Sequence, residues 1–378
     1  MTTKNYNLIC GDAHEQLNRL DSESVDSIVT DPPAGIAFMG KSWDSDKGGR
    51  DTWILWLTEI MTEAKGVLKP GGHALVWALP RTSHWTATAL ENSGFEIRDI
   101  VNHIFGSGFP KSLNVGNGLG TALKPACENW ILCRKPLEKG LTVAQNVLKW
   151  GTGAINVDGC RVPSDRKDTR HGGGKVSEHI QQLNPDAKGY SLPSARFPAN
   201  VTHDGSDEVE AEFAKFGERK SGAINGKRSA SRLNCHGGFA MQNEAGYFEA
   251  TAGSASRFFY AAKASQSDRN EGLEGFEIKR PDHRTETGMG SFEQKGVQPQ
   301  QNHHPTVKNV ELMKYLCRLI TPPNGIILDM FCGSGSTGKA AMLENFRFIG
   351  IEQNAEYLEI ARARIESALN KQPLFAAA

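Results

Sequence analysis

The sequence has few features of a secreted or membrane protein. Across its 378 residues, no apolar run reaches the roughly 20 residues that a transmembrane helix needs. The stretch Met1–Tyr6 has no apolar core of the kind that secretion signals carry. The seven cysteines form no CxxC pair, which favours reduced thiols over a disulfide framework. We therefore expect a cytoplasmic protein that does not act at a membrane.

The sequence also lacks a charge bias and a metal-binding pattern. It has 43 basic and 43 acidic residues and no net charge, whereas a pure nucleic-acid-binding module would usually be more basic. Cys235 and His236, taken with His203, fit no common zinc ligand spacing, so we expect no metal. An enzyme that holds nucleic acid in one cleft does not need an overall positive charge.

The most informative stretch reads SIVTDPPA over residues 27–34. A short apolar strand, Val25–Val29, runs almost directly into Asp31-Pro32-Pro33. Two successive prolines end a strand and remove two backbone donors. An acid followed by such carbonyls offers many hydrogen-bond acceptors and few donors, which suits the binding of an amino group.

A second informative region lies near the other end of the chain. Residues 326–338 read IILDMFCGSGSTG, which predicts a buried strand, a glycine turn and a helix start. Glu352 ends the next predicted strand, where a carboxylate can accept from the hydroxyls of a ribose. Upstream, the sequence His304-Pro305-Thr306-x-Lys308 precedes an amphipathic helix that Thr306 is expected to cap.

Together these stretches resemble the amino-group DNA methyltransferases, which methylate adenine N6 or cytosine N4 and use S-adenosylmethionine (SAM). That family has Asp-Pro-Pro-aromatic as its catalytic motif and Phe-x-Gly-x-Gly as its cofactor motif. The corresponding stretches here are Asp31–Ala34 and Phe331–Gly335. Because the catalytic motif comes first, the order is similar to that of the permuted beta group. The resemblance covers residues 5–136 and 301–369.

One position departs from the family pattern. Ala34 stands where the family has Tyr, Phe or Trp, and an engineered substitution and a natural variant would each explain it. The ring at this position would normally stack on a flipped base, which is worth roughly 1–3 kcal/mol per base. We therefore expect a chain that binds SAM and DNA but transfers methyl poorly.

Alternating strands and helices predict a doubly wound α/β sheet. The resemblance implies that this is a circularly permuted Rossmann-like SAM-dependent methyltransferase sheet. Residues 1–150 would form the catalytic half of the methyltransferase domain, and residues 301–378 the SAM-binding half. Residues 151–300 are rich in glycine, serine, asparagine and charge, and are expected to form a target-recognition insertion. A solvated, partly disordered insertion is the alternative.

The resemblance also assigns roles to individual residues. The catalytic residues would be Asp31, Pro32, Pro33 and Ala34. Asp12 would reach the adenine of SAM, and Asp329 its ammonium group. The full set expected at the cofactor is Asp12, Asp31, His304, Thr306, Lys308, Asp329, Phe331, Gly333, Gly335, Ser336, Thr337 and Glu352. The basic residues expected at DNA phosphates are Lys41, Lys111, Lys215, Arg219, Lys220, Lys227, Arg228 and Arg232.

The implied activity is site-specific methylation of adenine N6 in double-stranded DNA, as in restriction–modification. In this family an Asp at the first motif position favours adenine and a Ser favours cytosine, but N4-cytosine methylation stays open. RNA or protein amide methylation is a weaker alternative. Ala34 favours a further reading, in which the chain binds DNA or SAM without catalysis. The sequence leaves a monomer and a homodimer open.

Overall fold

A computed structural model describes residues 5–38, 41–108, 112–164, 195–218, 252–263, 266–279 and 300–371. The strands in these ranges, in chain order, are β1 Tyr6–Cys10, β2 Val25–Thr30, β3 Leu68–Ala78, β4 Glu96–Ile104, β5 Asn114–Gly116, β6 Leu119–Gly120, β7 Cys127–Arg134, β8 Val162–Pro163, β9 Ala195–Arg196, β10 Val201–His203, β11 Tyr260–Ala261, β12 Ile326–Asp329 and β13 Arg347–Glu352.

Helices cover both faces of the sheet that these strands form. In chain order they are α1 Ala13–Leu17, α2 Arg50–Val67, α3 Ser83–Asn92, α4 Val143–Trp150, α5 Asp207–Ala214, α6 Val310–Ile320, α7 Ser336–Leu343 and α8 Ala355–Lys371. Short 3₁₀ turns occur at Ser42–Asp44, Asp158–Cys160, Ala255–Phe258 and Gln266–Arg269. None of the helices in the described ranges is long and apolar enough to cross a bilayer.

The main sheet has nine strands in the order β1-β13-β12-β2-β3-β7-β4-β10-β11. All neighbours are parallel except at β7, which runs antiparallel to both β3 and β4. The late strands β12 and β13 lie between the early strands β1 and β2. This arrangement confirms the expected permuted α/β sheet, because the chain supplies the middle of the sheet last.

Side-chain alternation along the strands feeds two hydrophobic cores, one on each face. Neighbouring residues of β12 illustrate it: Ile327 packs in one core and Leu328 in the other. On one face, helix α2 buries Trp53, Leu57 and Met61, which recur at three- to four-residue spacing. Helices α6, α7 and α8 supply the opposite core. Strand β2 is covered on both faces, and all six of its residues are buried, including the polar Asp26, Ser27 and Thr30.

Two short strands from residues 151–300, the region expected to form an insertion, belong to the main sheet. Strand β10 pairs in parallel with β4, and β11 pairs in parallel with β10. A backbone bond from Ala262 N to the carbonyl of His203, at 2.7 Å, continues this pairing. Sheet hydrogen bonds therefore join this part of residues 151–300 to strand β4.

Candidate active site

The two motifs singled out in the sequence, Asp31–Ala34 and Phe331–Gly335, lie far apart in the chain but contribute to one cleft of about 730 Å³. The cleft lies at the carboxyl ends of β1, β2, β12 and β13, where open α/β sheets bind ligands. Of the residues expected at the site, those that line it are Asp12, Asp31, Pro32, Pro33, Ala34, His304, Thr306, Lys308, Asp329, Phe331, Gly333, Ser336, Thr337 and Glu352.

Asp329 is held rigidly at the end of β12. One of its oxygens accepts from Thr30 Oγ1 at 2.7 Å and from the Phe331 amide at 3.1 Å, and the other accepts from Thr337 Oγ1 at 2.6 Å. The side chain is nearly inaccessible to water. Burial raises the pKa of Asp329 to about 6, although these three donors act in the opposite direction. A cationic ligand would favour its charged form.

Glu352, at the end of β13, organises the glycine turn. Its Oε2 accepts from the Gly333 amide and its Oε1 from the Asn354 amide, each at 2.8 Å. Burial raises the pKa of Glu352, and the amide donors offset part of that rise. Each oxygen keeps further acceptor capacity, so the carboxylate can still accept from hydroxyl groups in the cleft.

His304 packs directly over the glycine turn. Gly333 has φ +52°, and a Cβ built on it would lie 2.8 Å from His304 Nε2, so the close contact requires glycine. The Thr306 amide donates to His304 Nδ1 at 3.3 Å, which leaves the proton of the neutral ring on Nε2. Burial lowers the pKa of His304 to about 3, and nearby cations including Lys308 act in the same direction.

Gly335 was expected at the cofactor but does not line the cleft. It has φ +76° and caps α7, and a Cβ built on it would lie 2.8 Å from Ala361 Cα in α8. The structure therefore gives this glycine a packing role, since it lets α8 approach the turn.

Asp12 lies in the cleft and also begins a helix. Its Oδ1 accepts from the amides of His14 and Glu15, at 2.9 and 3.3 Å, so it is the N-cap of α1. The side chain borders the part of the cleft formed by the ends of β1 and β13.

The expectation that Thr306 caps the following helix is wrong. Helix α6 begins at Val310, and its N-cap is Asn309, whose Oδ1 accepts from the amides of Glu311 and Leu312 at 2.8 and 3.4 Å. The amide group of Asn309 also donates to the Ala262 carbonyl at 2.7 Å. Asn309 can satisfy both the helix and the central segment, whereas Thr306 lies too far before the first turn.

Asp31, the acid of the Asp-Pro-Pro motif, forms an ion pair with Lys308. Lys308 Nζ lies 2.7 Å from Asp31 Oδ2, and the two side chains are 12% and 21% exposed. Burial raises the pKa of Asp31, and Lys308 offsets only part of the rise. The carboxylates of Asp31 and Glu128 raise the pKa of Lys308 despite its burial. Lys308 was expected at the cofactor, and in the structure its ammonium group contacts Asp31.

The loop after the catalytic motif is folded around one buried carboxylate. Asp44 accepts from the Gly35 amide at 3.0 Å and from the Phe38 amide at 2.7 Å. Thr82 Oγ1 donates to the Ala34 carbonyl at 3.4 Å. These bonds hold the backbone around position 34 against the Asp44 carboxylate and against Thr82, the residue before α3.

Sequence reasoning missed the aromatic lining of the cleft. The rings concerned are Phe38, Trp43, Trp56, Trp77, Phe105 and Tyr357. Trp77 lies in an apolar strand and Trp56 in the apolar stripe of α2, so neither residue stands out from its element in the sequence. The proximity of Trp77 to Asp31 depends on the pairing of β2 with β3, which the apolar pattern alone does not reveal.

The expected DNA-binding residues are only partly described. Lys41 is half-buried at the start of the 3₁₀ turn Ser42–Asp44 and does not line the cleft. Lys215 follows α5 and pairs with Glu212, with both side chains well exposed. Lys111, Arg219, Lys220, Lys227, Arg228 and Arg232 lie outside the described residues, as do Cys235 and His236. Within the described ranges, no group of three or more His, Cys, Asp or Glu could hold a metal ion.

The family of the chain follows from comparison with known proteins. A profile of the DNA methylase family, N6_N4_Mtase, matches residues 25–363. Because this match covers most of the chain, the protein belongs to that family. The motif resemblance, the permuted sheet and the profile agree, and SAM is the methyl donor that this class of methyltransferase uses.

Individual relatives match over shorter segments. The putative methylase YubD of Escherichia coli K12 is 44% identical over 63 residues, which is 17% of this chain and 28% of that protein. The type II methyltransferase M2.DpnII of Streptococcus pneumoniae is 42% identical over 73 residues, or 19% and 27%. The E. coli DNA adenine methyltransferase YhdJ is 39% identical over 66 residues, or 18% and 22%. The matched segments thus span about a quarter of these relatives.

A solved structure shares the fold at low sequence identity. The PvuII DNA methyltransferase, described as cytosine-N4-specific, aligns with a TM-score of 0.51 and 15% identity. The alignment covers 98% of this chain and 93% of that one. This likeness supports the sheet architecture and does not bear on the choice of base.

Proposed function

We propose that this protein transfers methyl from SAM to adenine N6 in double-stranded DNA at a specific sequence. The observation that carries the proposal is the shared cleft, in which Asp31 and Pro32 lie beside the glycine turn that begins at Phe331. The names of two matched relatives, a DNA adenine methyltransferase and a type II methyltransferase, support it. The reaction would take place in the cytoplasm, as part of restriction–modification or of DNA methylation without a nuclease.

The lining of the cleft fits SAM by its chemistry. The buried carboxylate of Asp329 suits the ammonium group, and Glu352 suits the ribose hydroxyls. A Cβ on Gly333 would clash with His304, so glycine at this position lets the imidazole pack against the turn where it borders the cleft. The rings of Trp56 and Phe331, with centroids 5.9 Å apart, supply an apolar part of the cleft wall beside the glycine turn.

The catalytic motif activates an amino group by accepting its hydrogens. The exocyclic nitrogen of adenine is a poor nucleophile because its lone pair is delocalised into the ring. Asp31 and the Pro32 carbonyl each accept one hydrogen, which holds the nitrogen closer to tetrahedral and aims its lone pair. Bound SAM supplies a sulfonium methyl that is open to in-line attack. Asp31, whose pKa burial raises, can take the proton that the nitrogen releases.

The Asp31 side chain is only 21% exposed, so a base that stays stacked in a duplex cannot reach it and must leave the duplex. Ala34 provides no ring to stack on the extruded base, which removes a contact worth roughly 1–3 kcal/mol. Methyl transfer is therefore proposed to be slower than in a chain with an aromatic residue at position 34.

The test is tritium transfer from labelled SAM to unmethylated plasmid DNA by the wild type and by Ala34→Tyr. We expect measurable transfer by the wild type and faster transfer by the variant. Mass spectrometry of the digested DNA then identifies the product: N6-methyladenine supports the proposal, and N4-methylcytosine assigns the alternative base. Retained SAM and DNA binding without transfer by either form would instead identify a non-catalytic protein. Light scattering distinguishes a monomer from a homodimer.

A further inference from the structure

We propose that Trp77 provides the ring that position 34 lacks, so that the flipped base stacks on Trp77 while Asp31 holds its amino group. This inference rests on the proposed function and deepens it. It names a residue that contacts the substrate and that the catalytic motif does not contain.

Trp77 is placed beside the catalytic acid by the pairing of two strands. Thr30, the last residue of β2, is in register with Val76 of β3. The next residues along the two parallel strands are Asp31 and Trp77. Their side chains therefore emerge at neighbouring positions on the edge of the sheet, and both line the cleft.

The side chain of Lys308 marks where a nitrogen bound to Asp31 lies. Its Nζ is 2.7 Å from Asp31 Oδ2 and also 4.3 Å from the centroid of the Trp77 ring, over its face. An amino nitrogen that replaces this ammonium on the carboxylate would occupy the same place. The ring attached to that nitrogen would then lie at stacking distance from the indole.

The indole is well fixed for this role. Trp77 pairs with Trp130, a fully buried residue of β7, and is itself half-buried against the core under α6. Its Nε1 is buried and has no hydrogen-bond partner among the described residues. The part of the ring that borders the cleft is therefore its apolar face, and a rigid apolar face suits stacking on any base.

The other rings of the cleft are placed less well. Trp56 contacts Phe331 and so belongs to the cofactor side. Trp43 and Phe105 line the cleft, but in the described part of the chain neither has an Asp31-bound nitrogen above its ring. Trp43 is the alternative stacking partner for the base, and the experiment has to exclude it.

The experiment compares Trp77→Leu, Trp77→Phe, Trp43→Leu, Ala34→Tyr and the double variant Trp77→Leu with Ala34→Tyr. The control is Trp85→Leu, because Trp85 is a half-buried tryptophan that does not line the cleft. The measurements are kcat/KM for unmethylated plasmid DNA and the Kd for SAM. Loss of one stacked ring predicts a fall in kcat/KM of about 5- to 150-fold for Trp77→Leu, and far less for Trp77→Phe, since phenylalanine still stacks.

The decisive result is rescue. A tyrosine at position 34 should raise kcat/KM by a larger factor in the Trp77→Leu background than in the unsubstituted chain, with the Kd for SAM unchanged throughout, because there it replaces a lost stacking partner. A purely structural role for Trp77 would give the same factor in both backgrounds, and that result would overturn the inference, as would wild-type kcat/KM in Trp77→Leu or a larger loss in Trp43→Leu. If the wild type transfers no methyl to any DNA, the proposed function fails and this inference falls with it.

Discussion

The cleft has a cofactor end, where SAM is proposed to bind, and a base end, where the flipped base is proposed to bind. The carboxylates at these two ends differ in their hydrogen-bond and ion-pair partners. At the cofactor end, Asp329 and Glu352 accept hydrogen bonds from short side chains and from backbone amides of their own turns. At the base end, Asp31 is paired with the long side chain of Lys308, which is its partner among the described residues. The carboxylates at the cofactor end are thus already hydrogen-bonded by fixed donors of the protein. The carboxylate at the base end is instead paired with the ammonium group of a long side chain, Lys308.

This difference shows how one cleft can serve two ligands of unlike character. A rigid donor and acceptor set binds an ordered cofactor without reorganisation. A base that is pulled from DNA needs an acceptor that can exchange its partner, and a long lysine side chain permits that exchange at small structural cost. The contrast can be tested from either end of the cleft.

The largest effect is expected at the base end. Asp31→Asn removes the charged acceptor, so we expect the rate of methyl transfer to fall by about 10²- to 10³-fold. The Kd for SAM should change by a few-fold at most, which equilibrium dialysis can measure. Asp51→Asn, at an exposed position, is the matched control. A parallel loss of SAM affinity in Asp31→Asn would mean that the two ends are not separate.

Next in size is the packing of the glycine turn. Gly335→Ala forces a residue with φ +76° into contact with Ala361, so the free energy of unfolding should fall by about 2–4 kcal/mol from the two penalties together. Gly140→Ala, at φ +88° but with open space around it, isolates the backbone penalty and should cost about 1–2 kcal/mol. Urea unfolding measures both. Equal losses would show that contact with α8 is unimportant.

The pH dependence of SAM binding follows from the pKa of Asp329, about 6. The carboxylate is the form that pairs with an ammonium group, so affinity should weaken as the pH falls below 6, by up to roughly tenfold per pH unit. In Asp329→Asn this slope should flatten, although Glu352 adds a dependence of the same sign. Isothermal titration calorimetry between pH 5 and 8 measures it, and a slope that survives in the variant would assign it elsewhere.

The same raised pKa has the opposite sign for stability without ligand. Because burial favours the protonated form of Asp329, its contribution to the free energy of unfolding is complete below its ordinary value of 3.8 and is lost as the pH rises through 6. This provides an internal check, since binding and stability should change in opposite directions over that range.

The smallest effect concerns the N-cap of helix α6. Asn309→Ala removes the cap of α6, so the free energy of unfolding should fall by about 1 kcal/mol. Thr306→Ala removes no cap and should change stability less, even though it lines the cleft. Thermal unfolding of the pair measures the difference. A larger loss in Thr306→Ala would restore the role that the sequence suggested for it.

The parts of the fold that were predictable are those with strong local signals. Strand β2 and the turn after β12 could be placed because an apolar run meets Pro-Pro in one case and glycines in the other. Helix α6 could be recognised from its apolar stripe, but its first residue could not, because Asn309 and Thr306 are both good caps and only the three-dimensional path selects one.

The remainder depended on contacts between distant residues. Strands β10 and β11 are three and two residues long, which is too short for alternation to show, and their conformation is set by pairing with β4. The ion pair of Lys308 with Asp31 joins opposite ends of the chain. Trp77 could not be singled out from its strand, since its proximity to the acid appears only once β2 and β3 are in register.

The position of β12 and β13 in the middle of the sheet has a consequence for synthesis. These strands leave the ribosome after the rest of the sheet, so until then β1 and β2 have unpaired edges that face a gap of two strands. Closing that gap joins residues that are very distant in sequence, which is a slow step in folding. The nascent protein therefore completes this sheet and forms the glycine turn together, once residues 326–352 have been synthesised.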